Sequence, residues 1–349
     1  MNLKFLKGIK QNYTSAQLLG FNLVIFLIFT FLRPERFPTF SNFKSMGFQF
    51  PEFGFFTLAL ALTMLTGGID LSVVAIGNLV ATLVGLFLLK SVPATATGAA
   101  VAPYIILCVV IAVLVGIACG FLNGILVANF KIPPILVTLG TQNLFTGICM
   151  VLTAGSGVFG EFPSAVTYIG SGLIFGVVPF PLFLFLVALI LFYFIIHRTP
   201  FGFKMQWFGA NKKVSFFSGI NNVKTEFLTY MYSAVLSALT GILILARTNT
   251  AKYDYGVSFI LQALLVSNLA GIDGGKGNIL NILLSVFAIQ MVDSGFNFLR
   301  ISSFVRSSTY GILLILSIVV EYSIRHYRQK KEARRAEMAA GASVSTAAS

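Results

Sequence analysis

The chain of 349 residues is 57% hydrophobic and 14% aromatic, and only 10% of its residues are charged. Soluble domains carry about 25% charged residues, so this composition excludes a soluble globular protein and predicts an all-α integral membrane protein with several spans. The formal net charge of +13 is also typical of nucleic-acid-binding proteins, and the positions of the basic residues must decide between the two interpretations.

Ten apolar segments that could cross a hydrocarbon core of about 30 Å follow one another along the chain. They are Gln17–Leu32, Phe53–Thr66, Val73–Leu89, Tyr104–Val127, Ile135–Leu152, Leu173–Ile196, Phe227–Ala246, Val257–Ala270, Ile279–Phe296 and Tyr310–Ile324. Several are short or interrupted by glycine, as expected of helices that pack inside a bundle beside a translocation path. The first segment runs into charged residues without a small-residue cleavage site, which predicts an uncleaved span.

A ten-span topology with a cytoplasmic N-terminus sorts the 24 Lys and Arg residues by membrane side. Sixteen of them then lie inside, and the eight outside are Arg33, Arg36, Lys44, Lys90, Arg247, Lys252, Arg300 and Arg306. This distribution satisfies the positive-inside rule and explains the basic charge without a nucleic-acid partner. It predicts a cytoplasmic N-terminus over residues 1–16, a membrane domain over residues 17–326 and a disordered, basic cytoplasmic tail over residues 327–349.

The segment Thr66–Ser72 lies between the second and third spans and combines two adjacent glycines with Asp70. Glycines free the backbone to leave the helix, and a carboxylate at membrane depth is costly unless protein or water covers it. A short aqueous turn between two helices is the alternative interpretation. If the segment is covered, Asp70 either faces a translocation path or caps the third span on the amides of Val73 or Val74.

The sequence contains no pattern typical of catalysis, of a metal site or of a cofactor site. The three cysteines lie within apolar segments and have no partner at ligand spacing, so we expect small core side chains. The two histidines lie at predicted cytoplasmic helix ends. The segment Gly271–Gly277 has the wrong spacing for a phosphate-binding loop and is followed by Asn278 instead of Ser or Thr, so we expect no ATP hydrolysis by this chain.

The longest predicted cytoplasmic connection, residues 197–224, contains a short helix. Asn211 is placed to cap this helix, Lys212–Ser218 continue it and Gly219 is placed to end it. A capped helix outside the membrane suits docking to a cytoplasmic protein. The alternative is a helix that lies on lipid headgroups with Phe208, Phe216 and Phe217 inserted.

Three stretches of the sequence, Met64–Val73, Leu122–Val127 and Ile132–Thr141, resemble in order and spacing the ribose-type (monosaccharide) permeases of bacterial ABC importers. Two further stretches, Gly209–Asn211 and Ser218–Ile220, resemble the cytoplasmic segment by which those permeases meet their ATPase. The resemblance places this chain in the superfamily of branched-chain amino acid and sugar permeases.

The resemblance extends over about residues 53–322 and implies a permease of about ten helices with inverted-repeat character, in the bacterial plasma (inner) membrane with both termini cytoplasmic. It implies three protein partners, which are a cytoplasmic ATP-binding subunit, a second permease copy or paralogue, and an extracytoplasmic solute-binding protein. The implied solute is a monosaccharide such as ribose or a related sugar, with a nucleoside or autoinducer 2 as alternatives.

Two sets of functional residues follow from the resemblance and from the polar side chains near the broken spans. The predicted ATPase-coupling residues are Gly209, Asn211, Lys212, Lys213, Phe217, Ser218 and Gly219. The predicted translocation-path residues are Asp70, Ser72, Asn123, Thr138, Thr141 and Asn143. Such a lining suits a neutral, hydroxyl-rich solute. Asn123 and Thr138 are equally suited to interhelical hydrogen bonds.

A different class of transporter is the main rival interpretation. In an ion-coupled secondary transporter, Asp70, Asp293 and Glu321 would be the coupling carboxylates. The order of the motifs favours the ABC permease. An integral-membrane enzyme is disfavoured because no nucleophile with its base and orienting group is found.

Overall fold

The computed structural model describes residues 3–92, 96, 100–320 and 322–323, with side chains from Ser15 onward. The predicted tail, residues 327–349, lies outside the described residues. The helices are α1 Leu3–Leu32, α2 Phe40–Leu65, α3 Val73–Ser91, α4 Ala102–Gly124 with a π-helical continuation Ile125–Asn129, α5 Pro134–Thr153, α6 Ser164–Ser171, α7 Phe180–Arg198, α8 Pro200–Ala210, α9 Lys212–Phe217, α10 Asn222–Thr248, α11 Val257–Leu269, α12 Ile279–Phe298 and α13 Ser303–Val320. Strand β1 (Val158–Phe159) pairs antiparallel with β4 (Thr250–Ala251), and β2 (Leu173–Ile174) pairs with β3 (Val178–Pro179).

The all-α membrane class is confirmed by the apolar helices. Among the described residues, nine helices are long and apolar enough to cross a membrane, namely α1 from Ser15 onward, α2, α3, α4 with its continuation, α5, α7, α10, α12 and α13. The remaining predicted span, Val257–Ala270, corresponds to α11, an apolar helix of only 13 residues. Each of the ten predicted segments therefore contains an apolar helix.

Two predicted boundaries are wrong. The second span was expected to begin at Phe53, whereas α2 begins at Phe40 and continues through Pro51. The sixth was expected over Leu173–Ile196, but its first part forms the β2–β3 hairpin. Phe175 and Gly176 in the turn of this hairpin have φ angles of 51° and 72°, and two consecutive left-handed residues cannot continue a right-handed helix.

Helix α10 lies at the centre of the bundle and packs against α2, α3 and α4. Glycines bring α4 and α10 into backbone contact, since a Cβ atom added to Gly116 or Gly120 would lie within 2.9 Å of α10 backbone atoms. In the same way, a Cβ on Gly241 of α10 would lie 2.2 Å from the Gly77 carbonyl oxygen of α3. Small residues of this kind let membrane helices approach closely where apolar burial alone gives no preference for a partner.

The connections between helices collect at two ends of the bundle. At one end, the backbone amide of Gly275 donates to the carbonyl of Leu65 at 2.8 Å, and both lie against Gly209 of α8. At the other end, β1 follows α5 and pairs with β4, which follows α10. This partition matches a ten-span topology in which residues 199–221 and 270–278 lie on one side and residues 154–179 and 249–256 lie on the other.

We predict that the end formed by α8 and α9 faces the cytoplasm. Reporter fusions after Asn221 should then give a cytoplasmic signal, and fusions after Ser164 should give an external signal, because charged connections stay on the inner side. Alkaline phosphatase and fluorescent-protein fusions at both positions measure this directly. A cytoplasmic signal at Ser164 would contradict the orientation.

Candidate functional site

The break between α2 and α3 turns the chain back into the bundle. Helix α2 ends where the amide of Gly67 (φ 80°) donates to Met64 and the amide of Gly68 donates to Thr63. The following residues reach the interior, and the side chain of Asp70 is completely buried. The interpretation of this segment as an aqueous turn is therefore wrong for Asp70.

Four polar side chains from three parts of the chain form one buried group, which we name the Asp70 cluster: Asp70, Ser72, Asn123 and Ser233. One carboxylate oxygen of Asp70 accepts from the amide of Ser72 at 2.9 Å and from its hydroxyl at 2.6 Å. The other accepts from the Ser233 hydroxyl of α10 at 3.4 Å. The Asn123 amide of α4 donates to the Ser72 hydroxyl at 2.8 Å. The cap on Val73 or Val74 is thus replaced by a bond to the amide of Ser72.

The groups that donate hydrogen bonds to the Asp70 carboxylate are uncharged. None of the ion pairs among the described residues includes Asp70. A buried carboxylate without a cation is stable only when hydrogen bonds replace its hydration. Close by, the Tyr230 hydroxyl is buried without a hydrogen-bond partner among the described residues, and a Cβ on Gly68 would lie 2.4 Å from its oxygen. A side chain at position 68 would therefore displace the Tyr230 ring.

Of the predicted path residues on α5, two are buried and one is exposed. The Thr138 hydroxyl donates to Pro134 at 2.9 Å and lies 3.2 Å from the carbonyl of Ile69 in the broken segment. Thr141 is also buried. Asn143 is exposed on the opposite face of the helix. Asn123 and Thr138 thus both hydrogen-bond to the broken segment between α2 and α3.

The helix predicted within residues 197–224 is confirmed as α9. The side chain of Asn211 accepts from the amides of Lys213 and Val214 at 3.0 and 3.1 Å, so it caps the helix as expected. Gly219 has a φ angle of 77° just after the helix, and no atom lies within 4 Å of the position of its missing Cβ. The left-handed backbone, and not steric space, is what requires glycine there.

Side-chain bonds fix one face of α9 to the start of α10. The Ser215 hydroxyl donates to the Asn222 side chain at 2.7 Å, and the Asn222 amide donates to the Lys212 carbonyl at 2.8 Å. The opposite face is apolar and exposed, with 85% of Phe217 accessible. Of the three phenylalanines that the headgroup alternative would insert into lipid, Phe208 is instead buried, whereas Phe216 and Phe217 are exposed. A six-residue helix is unstable alone. The bonds to Asn222 stabilise α9 and keep its apolar face exposed.

A backbone contact joins the α8–α9 segment to the break that follows α2. A Cβ on Gly209 would lie 1.9 Å from the Leu65 carbonyl oxygen, and one on Gly275 would lie 2.0 Å from the Gln206 carbonyl oxygen. The end of α8, the end of α2 and the α11–α12 connection are thus in direct backbone contact. Because Leu65 immediately precedes the broken segment, a displacement of α8 cannot leave that segment unaffected.

Sequence reasoning missed a buried ion pair near the opposite end. Glu52 of α2 is completely buried and makes a two-pronged hydrogen-bonded pair with Arg247 of α10. The predicted span began at Phe53 and therefore left Glu52 outside it. Phe50 before Pro51 and Phe53 after Glu52 are apolar, and they indicated a helix that continues through Pro51 and Glu52.

Two of the three carboxylates of the rival secondary transporter, Asp70 and Asp293, are described, and they bind different partners. Asp293 accepts from the Tyr310 hydroxyl and pairs with Arg306 at 3.5 Å, within the α11–α13 part of the bundle. Asp70 lies in its own cluster against α4 and α10. Glu321 lies outside the described residues. Among the described residues, no group of three or more His, Cys, Asp or Glu side chains could hold a metal ion.

Comparison with known proteins identifies the family of this chain. Residues 44–320 match the family model described as branched-chain amino acid transport system / permease component. The chain is 30% identical over 286 residues to the autoinducer 2 import system permease protein LsrD of Photorhabdus laumondii, covering 80% of this chain and 82% of that protein. It is also 30% identical to proteins of the same name from Yersinia pestis (strain Pestoides F), over 81% of this chain and 85% of the relative, and from Yersinia pseudotuberculosis serotype IB, over 82% and 86%. No solved structure matches the chain.

We predict that the Asp70 cluster stabilises the broken segment. Asp70→Ala removes the acceptor of two Ser72 donors and one Ser233 donor, so it should lower the free energy of unfolding by about 1–3 kcal/mol. Asp70→Asn keeps one oxygen acceptor and should be milder. Thermal unfolding in detergent measures both, with the exposed Asn143→Ala as control. Equal melting temperatures for the parent and Asp70→Ala would contradict this role.

Proposed function

Because this chain belongs to the family of sugar and branched-chain amino acid ABC permeases, we propose that it is the membrane-spanning subunit of an ATP-driven importer for a small, neutral, hydroxyl-rich solute. The anchored helix α9, with its exposed apolar face at the end predicted to be cytoplasmic, is the observation that carries the coupling part of this proposal. The chain is a multi-pass protein of the inner membrane. Both termini are proposed to be cytoplasmic.

The proposed energy source is a separate cytoplasmic ATP-binding subunit that docks on α9. Lys212 is held by Glu226 at 3.5 Å and lies 4.8 Å from the centre of the Phe208 ring, so its position is defined even at the surface. Lys213 is exposed and free to meet carboxylates of the partner. Motion of the docked subunit would reach the Asp70 cluster through the backbone contact of Gly209 with Leu65.

The proposed path runs along the exposed face of α5, opposite a second permease copy or paralogue. Gly140, Asn143 and Gly147 share this face, and no atom lies within 4 Å of the missing Cβ of either glycine. An amide such as that of Asn143 is costly against lipid and useful against a polar solute. The five buried path residues are proposed to shape the segment behind α5, and Asn143 to contact the solute.

The solute proposed first is a monosaccharide such as ribose, delivered by an extracytoplasmic solute-binding protein. The similarity to three permease proteins named for autoinducer 2 import favours autoinducer 2 as a second candidate. Both are small, neutral and rich in hydroxyl groups, so both fit a weakly binding path with few polar groups.

Transport and ATP hydrolysis by the reconstituted complex test the proposal. The permease in liposomes with its ATP-binding subunit should take up labelled solute only with external binding protein and internal ATP, and the permease alone should hydrolyse no ATP. A panel of ribose, other pentoses, hexoses, nucleosides and autoinducer 2 identifies the solute. Solute uptake by the permease alone, driven by a sodium or proton gradient, would establish the rival secondary transporter instead.

The role of α9 is tested by Gly219→Val. A β-branched residue at a φ angle of 77° is strained by roughly 1–3 kcal/mol and should redirect the end of α9. Association with the ATP-binding subunit and solute uptake should fall together, while membrane expression is kept. Gly20→Val is the matched control, because Gly20 lies inside helix α1 with no atom near its missing Cβ.

The charge variant Lys212→Glu with Lys213→Glu should weaken association less and in a salt-dependent way, since exposed charges act mainly on encounter. If Gly219→Val matches the parent in both association and uptake, α9 is not the docking helix.

A further inference from the structure

The connection between α10 and α11, residues 249–256, forms a strap across the end of the bundle opposite to α9. Its two terminal residues, Asn249 and Gly256, have left-handed backbone conformations with φ angles of 55° and 65°. Such residues mark places where the chain direction changes abruptly, and they separate the strap from the two helices that it joins.

Three polar contacts hold the strap down on different elements. The Tyr255 hydroxyl donates to the Glu52 carboxylate of α2 at 2.9 Å and accepts from Arg247 at 2.9 Å. The Asn78 amide of α3 donates to the carbonyls of Tyr253 and Tyr255 at 3.1 and 2.9 Å. Strand β4 of the strap pairs with β1. The strap therefore bridges α2, α3 and the connection that follows α5.

The contacts under the strap are of the kind that water can replace. Glu52 has no exposed surface, whereas 26% of its partner Arg247 is exposed, so the pair lies at the boundary with solvent. Burial, and next the Glu52 carboxylate, raise the pKa of Tyr255 well above its usual range, and its hydroxyl stays a donor. A buried ion pair adds little stability over apolar packing of equal volume, but its groups are hydrated readily when the contact opens.

We propose that residues 249–256 form the outer gate of the permease: the strap is closed in this structure and lifts from Glu52, Asn78 and β1 to admit the solute. This inference rests on the proposed transport function and on the orientation in which this end is external. The bonds of the Tyr255 hydroxyl to the ion pair, the Asn78 bonds and the β1–β4 pairing are then a reversible latch. In the alternative, the strap is a fixed part of the fold and β4 stays paired with β1 throughout transport.

A disulfide across β1 and β4 tests the gate. Val158 and Ala251 are Cα partners in the antiparallel pair, and such partners lie about 4.5–5.5 Å apart, within the range that a disulfide can bridge. The variant Val158→Cys with Ala251→Cys is made in a background in which the three native cysteines, which are buried and free, are replaced by alanine. Oxidation should lower solute uptake by at least about tenfold, and reduction should restore it.

The second hairpin provides the matched control. Ile174 and Val178 are partners in the β2–β3 pair at the same end, and they do not belong to the strap. Their oxidised cysteine pair should leave uptake unchanged. Should the first variant fail to transport even when reduced, the neighbouring pair of Phe159 and Thr250 gives the same test.

The two possible failures are distinguishable. Parent-level uptake by the oxidised Val158–Ala251 or Phe159–Thr250 variant, with disulfide formation verified by mass spectrometry, overturns the gate and leaves the transport function intact. Absence of uptake by the parent complex itself overturns the proposed function first.

Discussion

Close backbone contact between α10 and its neighbours is the constraint on which the rest of the structure depends. In a membrane, apolar side chains gain nothing by leaving lipid for another helix, so helices associate where small residues let their backbones meet. The glycines of α4 and the contact of Gly241 with α3 fix α10 between them. Ser233 and Arg247 both belong to α10, so this one helix contributes a side chain to the Asp70 cluster and another to the Glu52 ion pair.

The Asp70 cluster and the Glu52 ion pair lie towards different ends of the bundle. The Asp70 cluster holds a broken segment against α10, and the contact of Gly209 with Leu65 continues from this segment to α8. The Glu52 pair lies nearer the strap. Helices α2 and α10 contribute to both ends, so a shift of one helix against the other changes both. Alternating access needs such shared elements, since one end must close as the other opens.

Local features of the sequence were sufficient to predict α9, because its cap on Asn211 and its stop at Gly219 use neighbouring residues only. The same holds for the helix break before Asp70. Contacts between distant residues could not be predicted in this way. Glu52 and Arg247 are 195 positions apart, and neither has a local signal for its partner. The β2–β3 hairpin was hidden because its apolar residues have the composition of a span, although Gly176 and Pro179 marked it.

Burial of the predicted path residues also has a consequence for how selectivity arises. The five buried ones hydrogen-bond to one another, to Ser233 or to the backbone, which leaves few donors and acceptors for a solute within one chain. Conduction requires weak binding at each step, and a path between two chains with sparse polar groups satisfies this requirement. Recognition strong enough to distinguish one sugar from another then has to be made before the solute reaches the membrane. In the proposed importer, this arrangement of polar groups assigns selectivity to the proposed binding protein.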